Sequence, residues 1–198
     1  MTAYVAAILL LIVTPGPGVL SLAGVGTAYG LRAGVRYLAG LWVGTNVVLA
    51  LVASGLAALV LADARVRLVL LLASAGYLLW LAWRVARAET GLAVENAARA
   101  PGLRDGIALQ LVNPKGYAVN TTLMAGFPLG WASAGWEVAA KVAVLNVLWV
   151  AIHLLWLAFG DGLRRLNPSA RAQAWINRGM GATLAMVVVL ALGASLAT

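Results

Sequence analysis

Lys115 is the one charged residue between Gly106 and Trp136. A lysine near the centre of a membrane-spanning helix costs about 2.5 kcal/mol or more, so it requires water, a partner or a ligand. Its context is Asn113-Pro114-Lys115-Gly116. Proline removes a backbone donor and interrupts a helix. A second interruption, Thr14-Pro15-Gly16-Pro17, lies near the start of the chain, and Pro15 and Pro114 are 99 residues apart. Asn46 and Asn146 are 100 apart. A broken helix offers the carbonyls of one half to an ammonium and the N–H groups of the next half to a carboxylate. Thr14, Pro15, Gly16, Pro17, Asn46, Asn113, Pro114, Lys115 and Asn146 are therefore the candidate binding residues, and a small zwitterion is the ligand they suit.

The same residues exclude other chemistry. There is no cysteine, one histidine and six scattered carboxylates. Thiolate sites, disulfides and cysteine nucleophiles are absent. One histidine without a mid-span carboxylate assembles no metal site, and no cofactor is called for. Ser54-Gly55 and His153 lack a nucleophile motif, so an intramembrane enzyme is the weakest reading. His153 follows Asn146 by seven residues and Trp149 by four, on one helical face. It reads as a packed residue or, failing that, a proton carrier. With no carboxylate at mid-span, Lys115 and His153 are the candidates for proton coupling. Glu137 and Lys141 read as an i, i+4 pair at a membrane interface.

The elements that position these residues follow from hydropathy. The 198-residue chain is 63% hydrophobic and 10% charged, with mean hydropathy +0.95. A soluble fold of this size cannot hide so much apolar surface. The reading is an all-α integral membrane protein. A spanning helix needs roughly 20 apolar residues. Uncharged or nearly uncharged runs predict six transmembrane helices near 3–27, 37–62, 67–86, 105–127, 138–160 and 178–197. The runs do not alternate, which argues against a barrel. The N-terminal run has no basic n-region and reads as a span rather than a signal peptide.

Ten cations fall in the loops after spans 1, 3 and 5, against three on the other side. That bias places both termini outside the cell, and the net charge of +8 reads as a topology signal with lipid contact rather than nucleic-acid binding. Tyr4, Trp131 and Trp136 are expected at the outer interface; Tyr37, Trp83 and Trp175 are expected at the inner one. The chain is expected to be one transporter domain over 1–198. Repeat 1 covers about 1–87, a cytoplasmic linker with Pro101-Gly102 about 88–103, and repeat 2 about 104–198. Three spans per half makes the repeat an inverted 3+3, with helices 1 and 4 broken at mid-membrane. At ~1.5 Å per residue, Pro15, Asn46, Lys115 and Asn146 all reach ~12–18 Å into their spans. Gly40-x-x-x-Gly44 is a close-packing motif, within one chain or in a homodimer.

The ordered set of Thr14-Pro15-Gly16-Pro17, the Gly30, Gly34, Gly40, Gly44 ladder, Gly76-Tyr77-Leu78 with Leu81 and Arg84, and Asn113-Pro114-Lys115 resembles the LysE/RhtB family of bacterial amino-acid exporters. The resemblance covers essentially the whole chain. It implies secondary-active export of amino acids across the bacterial cytoplasmic membrane, exchanged against protons. The chain departs from the family pattern at Gly18, where Asn is common after Pro-Gly-Pro, and at the fifth span, where Asn146 stands in the region in which many members carry Asp. With no Asp or Glu in the centre of any span, neutral amino acids or their derivatives are the expected substrates. The alternative is a channel for small polar solutes, although no filter-like ring of carbonyls or charges is present.

Overall fold

The computed structural model describes residues 1–14, 16–87 and 100–196; Pro15, most of the expected linker (88–99) and the last two residues lie outside it. Among the described residues the structure is all-helical, with no strand. It comprises α1 Thr2–Val13, α2 Pro17–Ala53, α3 Leu56–Ala62, α4 Ala64–Ala86, α5 Leu103–Val112, α6 Pro114–Ala125, α7 Ala134–Arg165 and α8 Ala170–Leu196. Helices satisfy every backbone group internally, which an apolar surrounding demands. Helices α2, α4 and α7 are each long and apolar enough to cross a membrane. Leu10, Val147 and Leu155 are 72%, 69% and 70% exposed, an outward apolar surface suited to lipid rather than water.

Two interruptions fall where proline directs them. Thr14 (φ −55°, ψ 124°) and Asn113 (φ −78°, ψ 104°) leave helical geometry immediately before Pro15 and Pro114. A residue preceding proline is driven out of the α region by contact with the ring. Pro17 and Pro114 then open α2 and α6 at a position where the missing N–H is not needed.

The expected loop between the first two spans does not form. Residues 28–36 are helical apart from Gly30, whose φ of +79° breaks α2 into two legs. Glycine adopts this conformation without a Cβ penalty. The break frees the Leu31 N–H, which donates to Asp161 Oδ1 of α7 at 3.0 Å. Arg165 holds the other carboxylate oxygen of Asp161. The expected span 37–62 is likewise divided, by Ser54 and by Gly55 at φ +77°, into the second leg of α2 and α3.

The second leg of α2 packs on α5 through glycine. A Cβ at Gly40 would overlap the Leu103 carbonyl, and one at Gly106 would overlap the Tyr37 carbonyl. The Gly40-x-x-x-Gly44 motif therefore serves contact within the chain. On the other face, Gly160 of α7 sits against the Ala23 carbonyl, and Gly34 against Leu157. Tyr4 and Tyr37, expected in the aromatic belts, are instead core residues at 1% and 0% exposure. Tyr4 reaches the Lys141 carbonyl at 3.0 Å and Tyr37 meets the Tyr77 hydroxyl at 3.3 Å, so each buried phenol has a polar partner.

Candidate functional site

The breaks at residues 14–16 and 113 meet. Lys115 Nζ donates to the Thr14 carbonyl at 2.6 Å, across 101 residues of sequence. Gly16 makes that approach feasible: a Cβ there would stand 2.7 Å from Lys115 Cδ and 3.0 Å from Nζ. Beside this contact lies a cavity of about 450 Å³, open to the surroundings, whose one charged lining group among the described residues is Lys115. The ends of α1 and α5, the starts of α2 and α6, and the faces of α2 and α7 carrying Thr45, Trp149 and His153 enclose it. A second, more apolar cavity of about 530 Å³ lies between the breaks and helices α4 and α8, near Ser74 and Val188. Gly16, Pro17, Asn113 and Lys115 line both, so the broken segment is the wall between them.

The polar groups of the first cavity have fixed directions. The Lys115 backbone N–H donates to Asn113 Oδ1 at 3.1 Å. That settles the Asn113 amide, whose Nδ2 donates to Gln110 Oε1 at 2.8 Å. Gln110 Nε2 in turn donates to Thr45 Oγ1 at 3.0 Å. A backbone N–H can only donate, so the polarity of the whole chain of amides follows from its first bond. His153 Nδ1 lies 2.8 Å from the Trp149 carbonyl, and the ring stacks on the Trp149 ring with centroids 3.5 Å apart. A carbonyl accepts only, so Nδ1 carries the proton and Nε2 of the neutral ring is a bare acceptor. Asn120, 5% exposed, lines the cavity with no hydrogen bond to its side chain among the described residues.

The two helix starts differ. Asn113 caps α6 with its own side chain. The N-cap of α2 is Gly16, which has no side-chain cap, and Gly18 and Val19 line the cavity just beyond it. Uncapped N–H groups at a helix start attract an anion.

Of the residues expected from sequence, Thr14, Gly16, Pro17, Asn113 and Lys115 come together at the first cavity, and Pro114 lines the second. Pro15 lies outside the described residues. Asn46 and Asn146 do come together, but with each other: their amides exchange bonds of 2.9 and 3.0 Å. Trp42 Nε1 adds a bond to Asn146 Oδ1 at 2.7 Å. Neither asparagine lines the cavity. The neighbouring Thr45 does instead, because one residue along a helix turns the side chain by about 100°. Gln110, Thr45 and Asn120 were not singled out from sequence; the available signal was Gln110 at i−3 from Asn113 on one helical face. Ser54 donates to the Leu51 carbonyl, lies off the cavity, and pairs with no histidine. The Glu137–Lys141 pair is more than an interfacial contact. Lys141 is 3% exposed and also donates to the Met124 carbonyl, while Glu137 receives the Leu129 and Trp131 N–H groups of the α6–α7 connection.

A family model described as LysE type translocator matches residues 9–195. A cysteine/O-acetylserine efflux protein of Salmonella choleraesuis (strain SC-B67) is 34% identical over 163 residues, covering 78% of this chain and 83% of that protein. The protein of the same name from Klebsiella pneumoniae is 33% identical over 179 residues, 84% of this chain and 89% of its own length. The one from Escherichia coli K12 is 32% identical over 164 residues, 78% and 83% of the two chains. No solved structure matches.

Proposed function

The chain belongs to the LysE-type translocator family, and on that premise we propose that it exports small neutral amino acids or their derivatives, of the cysteine and O-acetylserine class, from the bacterial cytoplasm. It is a multi-pass membrane transporter and not an enzyme. The observation that carries the substrate reading is the Lys115 ammonium on the Thr14 carbonyl, inside a polar cavity built on two helix breaks. The substrate carboxylate lies between Lys115 Nζ and the uncapped start of α2. Thr14, Asn113 and Asn120 supply neutral hydrogen bonds. A cationic side chain has no anionic partner among the lining residues and would sit beside Lys115, which a low-dielectric cavity penalises.

Six membrane crossings accommodate the helices: α1 with the first leg of α2, the second leg with α3, then α4, α5 with α6, α7 and α8. Both termini lie outside, the halves about 1–87 and 104–198 form an inverted 3+3 repeat, and both breaks sit at mid-membrane. The matched prolines 99 residues apart and the ten-to-three cation bias support this arrangement. Lys115 is also the proton carrier of the export cycle, because substrate and proton then share one group. Flux that keeps its pH dependence in Lys115→Gln and loses it in His153→Gln would move that role to α7.

The test is counterflow in proteoliposomes. Internal unlabelled cysteine should accelerate uptake of labelled cysteine, which a channel does not do. Neutral amino acids should compete and lysine should not. Lys115→Ala should strongly impair exchange, to a small residual rate, while remaining in the membrane. Wild-type exchange by that variant would refute the site.

A further inference from the structure

The cavity holds donors for a carboxylate, yet among the described residues that line it there is no carboxylate to receive the other end of a zwitterion. We propose that the acceptors for the substrate's α-ammonium are His153 Nε2 and Gln110 Oε1, left open by the absence of a side chain at Gly18. A Cβ built on Gly18 would stand 3.4 Å from His153 Nε2 and 3.9 Å from Gln110 Oε1, so the two acceptors converge on one point at the start of α2. Both directions are fixed by the bonds behind them. Nδ1 of His153 is committed to the Trp149 carbonyl and Nε2 has no partner among the described residues. Gln110 Oε1 receives one bond from Asn113 and keeps a second lone pair. His153 and Gln110 are 3% and 4% exposed, and both line the cavity. Each acceptor keeps a lone pair toward the cavity, where a bound donor gains a hydrogen bond. An ammonium has three donors and no acceptor, which suits this pair.

This assignment rests on the cavity being the amino-acid site. Purified protein in nanodiscs separates the two claims by equilibrium binding of L-cysteine and of 3-mercaptopropanoate, which differ only in the ammonium. The wild type should bind cysteine the more tightly. His153→Leu should weaken cysteine by about tenfold or more, as loss of a hydrogen bond to a charged group implies, and leave 3-mercaptopropanoate nearly unchanged. His153→Gln, which restores an acceptor, should recover part of the preference. Gly18→Ala provides a second route should the leucine variant fold poorly. Its methyl group fits at ordinary contact distance and blocks the acceptors, so cysteine should again lose more than 3-mercaptopropanoate. An unchanged preference in Gly18→Ala and in whichever His153 variants fold would overturn the ammonium assignment while leaving the site itself intact. Absence of saturable cysteine binding in the wild type would overturn both.

Discussion

Gly16→Ala moves Lys115 without removing it, and so tests the geometry of the break rather than its charge. The backbone at Gly16 is extended, with φ −156° and ψ 179°, so alanine adopts it without strain. Its methyl group would lie 2.7 Å from Lys115 Cδ and 3.0 Å from Nζ. The obstructing atoms are the far part of a flexible side chain, so the lysine yields and the fold survives. What is lost is the 2.6 Å bond from Nζ to the Thr14 carbonyl. A hydrogen bond to a charged group is worth about 1.5–3 kcal/mol, or roughly 10- to 150-fold in apparent affinity. The assay is cysteine counterflow in proteoliposomes, run on the two single variants and the double variant. Gly16→Ala should cost an amount in that range. In a Lys115→Ala background, where the methyl group meets nothing at these distances, the same substitution should cost nothing further, because residues acting through one contact are not additive. Equal cost in both backgrounds would mean that the methyl group merely fills the cavity, and the coupling argued between Gly16 and Lys115 would be wrong.

Asn46→Leu or Asn146→Leu should lower thermal stability in detergent by about 0.6–2 kcal/mol through the unpaired partner. Replacing both should cost less than the sum of the singles, with cysteine exchange kept in the double variant. Gly40→Val should fail to accumulate in the membrane, since its Cβ meets the Leu103 backbone rather than a side chain that could turn away. Gly30→Ala forces a side chain into the positive-φ, extended-ψ region that is essentially glycine's alone, and Gly55→Ala into the left-handed region at about 1–2 kcal/mol. Only the former must also displace Arg164, so its melting point should fall further. Asn120→Leu should slow export through loss of a free amide in the cavity while leaving the melting temperature within a degree or two of wild type.

The elements were legible wherever one physical signal decided them. Proline preceded by a residue that must leave the α region placed both breaks to within a residue, and uncharged runs located the bodies of α4, α7 and α8 but not the continuous α2. Gly30 was misread as part of a loop because the sequence carries no sign that one glycine, with an aspartate 131 residues away, is enough to join two helices. The site was legible at Lys115, since a lysine in an apolar run demands an explanation. Its neutral partners were not. Gln110 and Thr45 are ordinary polar residues until the close approach of α2 and α5 at Gly44 brings them together; a Cβ at Gly44 would lie 2.7 Å from Gln110 Cβ. The matched spacing of Asn46 and Asn146 implied a common level; that they bond each other instead of lining the cavity was not legible, because matched spacing carries no information about which side of the helix faces the ligand.

The two breaks are alike in sequence and unlike in what they leave available. Each next helix opens with proline, which removes one orphan N–H. At α6, Asn113 then takes the Lys115 N–H on its side chain and the Gly116 N–H on its carbonyl, so that helix start is already satisfied. At α2, the residue in the corresponding place is Gly16, which can cap nothing with a side chain. The positive end of α2 therefore faces the cavity, and that of α6 is spent on the protein itself. The same substitution of glycine for a capping residue clears the space that Lys115 occupies. One glycine thus accounts both for the position of the cation and for the open helix end beside it, which supports the proposed carboxylate position between Lys115 and the start of α2. The proposed acceptors, His153 Nε2 and Gln110 Oε1, converge beside it at Gly18, two residues along the same helix start. A symmetric pair of breaks would hold a zwitterion equally well in two orientations. The unequal caps favour one of them.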